Sequence, residues 1–81
     1  MRYFLEFVLL RLVLHPDDID LRQIENPSGV TFHVSVHPDD IGKVIGKNGR
    51  TIMAIRGLLN AAASKTGETR VTVQLYENSI S

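Results

Sequence analysis

The chain has 81 residues, of which 43% are apolar, and its formal net charge is zero. This length allows one small domain, and this apolar fraction is typical of a folded protein and excludes a wholly disordered chain. The absence of cysteine excludes a disulfide framework and a cysteine-based metal site. The charge is unevenly distributed, because residues 43–70 carry six Lys and Arg against one acid, whereas residues 1–42 carry three against seven. The basic half can therefore bind phosphate although the whole chain is neutral.

The apolar N-terminal stretch MRYFLEFVLLRLVLHP predicts a helix that ends at Pro16-Asp17-Asp18. It is too short to span a bilayer and no signal-peptide cleavage site follows it, so we expect no membrane insertion. Apolar residues form two stripes on this helix, and the stripe expected to face the core consists of Phe4, Leu5, Val8, Leu9 and Leu12. The second stripe, on the opposite side, consists of Tyr3, Phe7, Leu10 and Leu14. It indicates either a surface for a partner or merely asymmetric packing of the N-terminus.

Three strands are predicted from alternation of apolar and polar residues. The first covers residues 19–25 and the second, where the alternation is regular, covers residues 30–36. The segment ENPSG between them contains the Pro and Gly of a turn, and its shortness predicts a β-hairpin. The third strand covers residues 70–76 and alternates in the same way.

Two helices are predicted between the second and third strands. The first begins at His37-Pro38-Asp39-Asp40, where acids favour the positive end of the helix dipole, and ends about two turns later, before Gly46. The second begins after Gly49, runs to residue 64 or 65 and stops at Gly67. Its predicted core face consists of Ile52, Ile55, Leu58, Leu59 and Ala62. The predicted order is therefore α-β-β-α-α-β.

The stretch IGKVIGKNGRTI contains the junction of these two helices, where Gly46 and Gly49 enclose Lys47 and Asn48. Glycine has no Cβ, so a phosphodiester can lie against the backbone there. The free N–H groups at the start of the following helix favour the same anion, as do the charges of Lys47 and Arg50. A nucleotide P-loop needs four residues between its glycines and a hydroxyl after the lysine, and this segment has neither. A plain helix-turn-helix corner explains one glycine but not two beside a pair of cations.

With its flanking helices, the stretch GKVIGKNGRTI resembles the KH domain, a nucleic-acid-binding module. The α-β-β-α-α-β order is similar to the type II arrangement of this family, and the chain is most similar to its small stand-alone bacterial members of the KhpA/YlqC type. The resemblance covers residues 1–77 as a single KH domain and leaves residues 78–81 as a tail. It implies an α+β fold in which three helices cover one face of a three-stranded sheet.

The resemblance also implies that Gly46, Lys47, Asn48 and Gly49 clamp the backbone of roughly four single-stranded nucleotides. The groove would have one wall from the two helices and the other from residues 34–36 and from ENPSG, acting as the variable loop. The RNA-binding residues expected on the helix side are Ile41, Lys43, Val44, Ile45 and Arg50. A variable loop this short predicts little discrimination between RNA sequences.

The family resemblance implies a single-stranded RNA-binding protein that acts in the cytoplasm as an RNA chaperone or post-transcriptional regulator. Such proteins are also associated with self-dimers and with a larger KH-containing partner implicated in cell-wall or division control. A protein-interaction module is therefore the alternative function. We expect a homodimer, with the second stripe of the first helix as the preferred seam and Met53, Ala54 and Ala61 as the rival surface.

Other residues with chemical potential have simpler interpretations. His33 and His37 are expected on the open face of the sheet, where their interval spans roughly 13 Å, too far for one metal ion. The pairs Asp17-Asp18 and Asp39-Asp40 lie at helix boundaries, where capping explains them. Arg56 either extends the basic track or covers apolar surface, and the second role is preferred. We therefore expect no enzyme, no metal site and no cofactor.

Overall fold

The computed structural model describes residues 2–66 and 70–77. In chain order its elements are α1 (Arg2–Leu12), β1 (Asp20–Asn26), β2 (Gly29–Val36), α2 (Ile41–Ile45), α3 (Arg50–Thr66) and β3 (Val71–Glu77). Short 3₁₀ turns precede β1 at Pro16–Asp18, precede α2 at Pro38–Asp40, and join α2 to α3 at Lys47–Gly49. The predicted order and the α+β class are confirmed, whereas the predicted helix stop at Gly67 lies outside the described residues.

The central strand of the sheet is β2, and the strand order is β1-β2-β3. β1 runs antiparallel to β2 with Asn26 opposite Gly29, which is the hairpin predicted for ENPSG. β3 runs parallel to β2 with Val30 opposite Val71. A parallel neighbour requires a long crossover connection, and α2 and α3 provide it.

The core lies between one face of the sheet and the helices. In β2 the residues Val30, Phe32, Val34 and Val36 are buried, whereas the residues between them are only half-buried. The helices cover this one face with Leu5, Leu9, Val44, Ile52, Ile55, Leu59 and Ala63. Full burial of one large apolar side chain contributes roughly 1.5 to 3 kcal/mol, so this single cluster is the main source of stability in so small a domain.

The buried stripe of α3 is narrower than predicted. Three of its five predicted residues are buried, but Leu58 and Ala62 are exposed, and Ala63 is buried instead. At 100° per residue the buried positions cover an arc of about 80°, and Leu58 lies about 60° outside it. The three-stranded sheet is narrow, so it can bury only the side chains of α3 that lie within this arc.

α1 is buried along one side only. Leu5 and Leu9 are fully buried, but Phe4 is exposed, contrary to expectation, because it lies about 100° from Leu5 around the helix. The exposed residues of the second stripe are Tyr3, Phe7, Leu10 and Leu14. Within residues 2–66 and 70–77, no helix has the length and apolar character needed to cross a membrane.

Two polar side chains of α3 cover the outer edge of β3. The Arg56 guanidinium donates a hydrogen bond to the Val73 carbonyl oxygen at 3.1 Å. The Asn60 amide makes two bonds to Val71, donating to its carbonyl oxygen and accepting from its N–H, both at 3.0 Å. These side chains take the place of a neighbouring strand, and a covered edge resists unwanted strand pairing. Arg56 therefore has a structural role, but its guanidinium bonds to the strand edge, whereas its charged head was expected in water.

A buried carboxylate joins the end of α1 to the start of α2. Asp40 is 0% exposed, and its oxygens accept hydrogen bonds from the backbone N–H groups of Leu14 at 3.1 Å and His15 at 3.0 Å. The interpretation of Asp40 as a cap of its own helix is wrong, because its carboxylate bonds to the preceding segment instead. The side-chain cap at this turn is His37, whose Nδ1 accepts from the Asp39 N–H at 3.0 Å.

Opposite effects act on the pKa of the Asp40 carboxyl. Burial alone would raise this pKa, because the charged form loses its water. The hydrogen bonds from Leu14 and His15, with the nearby imidazoles of His15 and His37, outweigh burial and hold the pKa below its usual value of 3.8. A carboxyl with a depressed pKa stabilises the fold above its unfolded pKa, and this stability is lost as the pH falls through the folded value.

We therefore expect acid to unfold the chain partly by protonating Asp40. The wild-type Tm, measured by thermal unfolding at a series of pH values, should fall below about pH 4. The variant Asp40→Asn keeps the shape but loses the charge, so its Tm should be lower near neutral pH and should depend less on acid. As a control, Asp17→Asn changes an exposed carboxylate and should keep the wild-type profile. An Asp40→Asn profile parallel to that of the wild type would contradict this role for Asp40.

Candidate nucleic-acid interface

The junction of α2 and α3 is a tight turn with three positive φ angles. Gly46 has φ 77° and ψ 175°, Asn48 has φ 57°, and Gly49 has φ 75°. Glycine adopts such angles without strain and asparagine more readily than most other residues. The Gly46 N–H donates to the Gly42 carbonyl oxygen at 2.9 Å, and the Gly49 N–H donates to the Gly46 carbonyl oxygen at 3.2 Å. The predicted turn is therefore present, and it leaves the side chains of Lys47 and Asn48 exposed.

The two glycines of this turn are required for different reasons. A Cβ on Gly46 would lie 2.1 Å from Thr51 Oγ1 and 2.9 Å from the Thr51 backbone nitrogen, so the first turn of α3 occupies that space. A Cβ on Gly49 would meet nothing within 4 Å. Gly46 thus faces the protein, whereas Gly49 faces open space that a ligand backbone can enter. The sequence gives no sign that Thr51 is the residue packed against Gly46.

Positive charge is concentrated around the open side of the turn. α3 begins at Arg50, directly after the turn, so the positive end of its dipole lies there, although the Arg50 N–H already donates to the Lys47 carbonyl oxygen. The side chains of Lys43, Lys47 and Arg50 are all exposed. No carboxylate in the described part of the chain forms an ion pair with any of these three cations. Their charge remains available to an external anion.

Two of the three apolar residues expected beside the turn are accessible. Ile45 is exposed and Ile41 is half-buried, so both offer apolar surface on α2. Val44 is 1% exposed and belongs to the core, which corrects its expected contact with RNA. Ile41 and Val44 are three positions apart on the helix, and at 100° per residue they lie about 60° apart, enough for only one of them to face the core.

The opposite wall of the expected groove is not formed by residues 34–36. Val34 and Val36 point into the core and are buried, and only Ser35 between them is half-buried. The alternation of β2 already places its valines on the covered face, so the expectation that residues 34–36 line the groove conflicts with that pattern. The valines that were expected to contact RNA are the set that packs against α3.

The hairpin turn ENPSG is also far from the glycine turn. Arg56 bonds to Val73 and Asn60 bonds to Val71, so α3 runs antiparallel to β3. Val71 is paired with Val30 beside the hairpin, which places ENPSG near the C-terminal half of α3. The glycine turn precedes Asn60 by more than ten residues of the chain, roughly 15 Å along the helix axis. ENPSG therefore lies at the other end of the sheet from this turn and cannot serve as its variable loop.

His37 does not lie on the open face of the sheet, contrary to expectation. β2 ends at Val36, and the ring of His37 stacks on that of His15 with the centroids 3.9 Å apart. His33 does lie on the open face, where its ring centroid is 5.4 Å from that of Tyr76. The whole β1–β2 hairpin separates His15 from His37 in the chain, so no local spacing could signal their contact.

Comparison with known proteins gives one family for nearly the whole chain. The family model described as KhpA/KhpB, KH domain matches residues 2–75. An RNA-binding protein KhpA from Halalkalibacterium halodurans is 45% identical over 65 residues, which are 80% of this chain and 86% of the relative. The protein of the same name from Oceanobacillus iheyensis is 43% identical over 76 residues, 93% and 99% of the two chains. That from Chlamydia pneumoniae is 38% identical over 77 residues, 95% and 97% of the two chains.

The different surroundings of the two glycines predict different costs of substitution. Gly46→Ala combines a strained φ/ψ pair with a clash against Thr51, so it should lower the free energy of unfolding by at least about 3 kcal/mol. The Cβ of Gly49→Ala meets no neighbour, so this variant should lower the free energy of unfolding by only about 1 to 2 kcal/mol, which is the strain of a left-handed backbone in a residue with a Cβ. Gly42→Ala is the helical control and should be neutral or stabilising by up to about 1 kcal/mol. Urea denaturation measures the free energy of unfolding of all three variants. Equal destabilisation by Gly46→Ala and Gly49→Ala would contradict the conclusion that Gly46 faces the protein and Gly49 faces open space.

Proposed function

The chain belongs to the KhpA/KhpB family of KH domains, and from this premise we propose that it binds single-stranded RNA with little sequence preference. The observation that carries the proposal is the turn 46–49, which is open at Gly49 and surrounded by exposed cations. Each of the three relatives described above is named an RNA-binding protein, which supports RNA as the ligand.

In this proposal the RNA backbone lies against the outer side of the turn. A phosphate lies near the start of α3, where the helix dipole favours negative charge. Lys47 and Arg50 add full charges on either side of Gly49, and Lys43 extends the field along α2. Asn48 contributes an exposed amide that can donate to a phosphate oxygen. The missing Cβ of Gly49 allows the close approach that these short contacts need.

Bases then rest on the apolar surface of α2. Ile45 and Ile41 provide this surface, whereas the buried Val44 only supports it from the core. Contacts to phosphate fix the position of a strand but carry no information about its sequence. RNAs of different sequence should therefore bind with similar affinity, as suits an RNA chaperone or post-transcriptional regulator in the cytoplasm. On this proposal the chain is a binding module and not an enzyme.

The double variant Lys47→Asp/Asn48→Asp tests the RNA proposal directly. It replaces an attractive charge and a neutral amide with two carboxylates, which repel phosphate, so binding of short single-stranded RNA should be lost. Aspartate tolerates the left-handed backbone of residue 48, so the fold should be kept. Fluorescence anisotropy with labelled RNA measures binding, and circular dichroism checks the fold.

A matched control lies at the other end of the same helix. Ser64→Asp/Lys65→Asp makes the same change in net charge at two adjacent exposed positions of α3, roughly 20 Å from the turn. This control should bind RNA nearly as well as the wild type. RNA affinity that is unchanged in the turn variant, or reduced equally in both variants, would refute the placement of RNA at the turn.

A second candidate function, pairing with another protein, is favoured by the exposed stripe of α1. Its large apolar side chains are Tyr3, Phe7 and Leu10, and the exposed Leu14 follows just beyond the end of the helix at Leu12. Together they expose on the order of several hundred square ångströms, a size that usually marks a contact surface. We propose that this stripe joins two copies of the chain or joins the chain to a larger KH-containing protein. Two linked RNA sites gain avidity without any new contact, so this role is compatible with RNA binding.

Replacing Phe7 and Leu10 with glutamine should therefore convert a homodimer into a folded monomer with weaker RNA avidity. Both side chains are exposed in the isolated chain, so their replacement should leave the core intact. The rival surface lies on α3, and the matched variant Met53→Glu changes an equally exposed residue there. Sedimentation velocity measures the mass of each variant. If the variant with Phe7 and Leu10 replaced remains a dimer and Met53→Glu becomes a monomer, the dimer interface lies on α3 instead.

A further inference from the structure

Two histidines from distant parts of the chain meet beside the start of α2. His15 precedes the 3₁₀ turn Pro16–Asp18, and His37 begins the 3₁₀ turn Pro38–Asp40. Their rings are stacked with 3.9 Å between the centroids and 19° between the planes. The RNA site proposed above uses neither side chain. Imidazole nitrogens are the commonest protein ligands of divalent transition metals, so the pair raises the question of a cation site.

A carboxylate completes a set of three possible ligands. Asp39 Oδ2 lies 3.7 Å from His37 Nδ1 and 3.9 Å from His15 Nε2. One ligand atom from each of the three residues lies within 4.8 Å of the other two. The centre of a triangle with such sides is at most about 2.8 Å from each corner, whereas zinc binds nitrogen and oxygen at about 2.0 to 2.2 Å. Each ligand atom therefore needs to move inward by less than about 1 Å.

We propose that His15, His37 and Asp39 bind one zinc ion. Two imidazoles and one carboxylate are a donor set that zinc accepts, with water in the fourth position of a tetrahedron. Zinc lies in the plane of a ligating imidazole, so the nearly parallel rings must rotate out of their stack when the ion binds. The side chains of His15 and Asp39 are 40% and 74% exposed, which leaves them room for this rotation.

The backbone holds the three residues close together before an ion binds. The buried Asp40 carboxylate accepts a hydrogen bond from the N–H of His15, which fixes this residue against the turn that carries Asp39. The carboxylates of Asp39 and Asp40 also provide two negative charges beside the site, and negative charge favours a cation. His37 Nδ1 exchanges its hydrogen bond from the Asp39 N–H for the metal, so binding opens this cap.

A zinc ion at this position would be a second connection between the segments that Asp40 already joins. Because it would bind only the folded chain, zinc should raise the Tm by mass action. α2 and the turn 46–49 follow directly after the segment that carries His37 and Asp39. The zinc site itself does not depend on RNA binding. Failure of one proposal would leave the other intact.

The experiment is zinc titration of the full chain, without a histidine tag and after removal of metal by a chelator. Isothermal calorimetry should give one zinc ion per chain, and thermal unfolding should give a higher Tm with zinc. His37→Ala and Asp39→Asn should each weaken zinc binding at least tenfold. Asp39→Asn changes an exposed side chain and keeps the backbone cap, so its fold should be preserved. His33→Ala, which removes the histidine beside Tyr76, is the matched control and should bind zinc like the wild type.

Substitution of cobalt for zinc tests the geometry, because tetrahedral cobalt gives intense visible absorption bands and octahedral cobalt does not. The wild type and His33→Ala should show these bands, and Asp39→Asn should lose them. Zinc binding that is equal in all variants, that is weakened as much by His33→Ala, or that requires millimolar metal would mean an adventitious ion only. Any of these results would overturn the proposal.

Discussion

The position of the glycine turn depends on one buried carboxylate. α2 has only five residues and leaves the sheet through a 3₁₀ turn, so its own hydrogen bonds cannot fix its direction. Asp40, directly before α2, is held by two N–H groups of the segment that leaves α1. The N-terminal helix, the end of β2 and the start of α2 therefore meet at a single charged group. The cost of burying that charge is offset by hydrogen bonds from the backbone and by the neighbouring imidazoles.

The two glycines of the turn have different roles: one allows the turn to pack against α3, and the other leaves its outer side open. Gly46 lets the backbone reverse against Thr51, so the turn is supported by the first residues of α3. Gly49 leaves its outer side free, because apart from its chain neighbours no described residue lies within 4 Å of the position that a Cβ would take. One position thus gives the turn a defined shape and the other leaves space next to its backbone. A ligand that binds there meets a preformed surface and does not have to order a flexible loop.

Features set by nearby residues were predictable, and features set by distant contacts were not. Regular alternation predicted β2 and its buried residues, and two closely spaced glycines predicted the turn before α3. The burial of Val44 and the exposure of Leu58 depend on how far the narrow sheet reaches under each helix, which periodicity does not report. The contact of His37 with His15 depends on Asp40 joining segments on either side of a hairpin. The family resemblance implied a three-stranded sheet covered on one face by helices, but it did not give the strand order or the distance of ENPSG from the turn.

The parallel pairing of β2 with β3 has a consequence for synthesis on the ribosome. The β1–β2 hairpin can form as soon as its residues emerge, because its strands are adjacent in the chain. The other edge of β2 has to wait for β3, which is separated from it in the chain by two helices. Until β3 has emerged, the nascent chain carries an apolar strand with one unpaired edge, whose buried side chains are Val30, Phe32, Val34 and Val36. The interval between synthesis of β2 and synthesis of β3 is therefore the period in which this small domain is most exposed to aggregation.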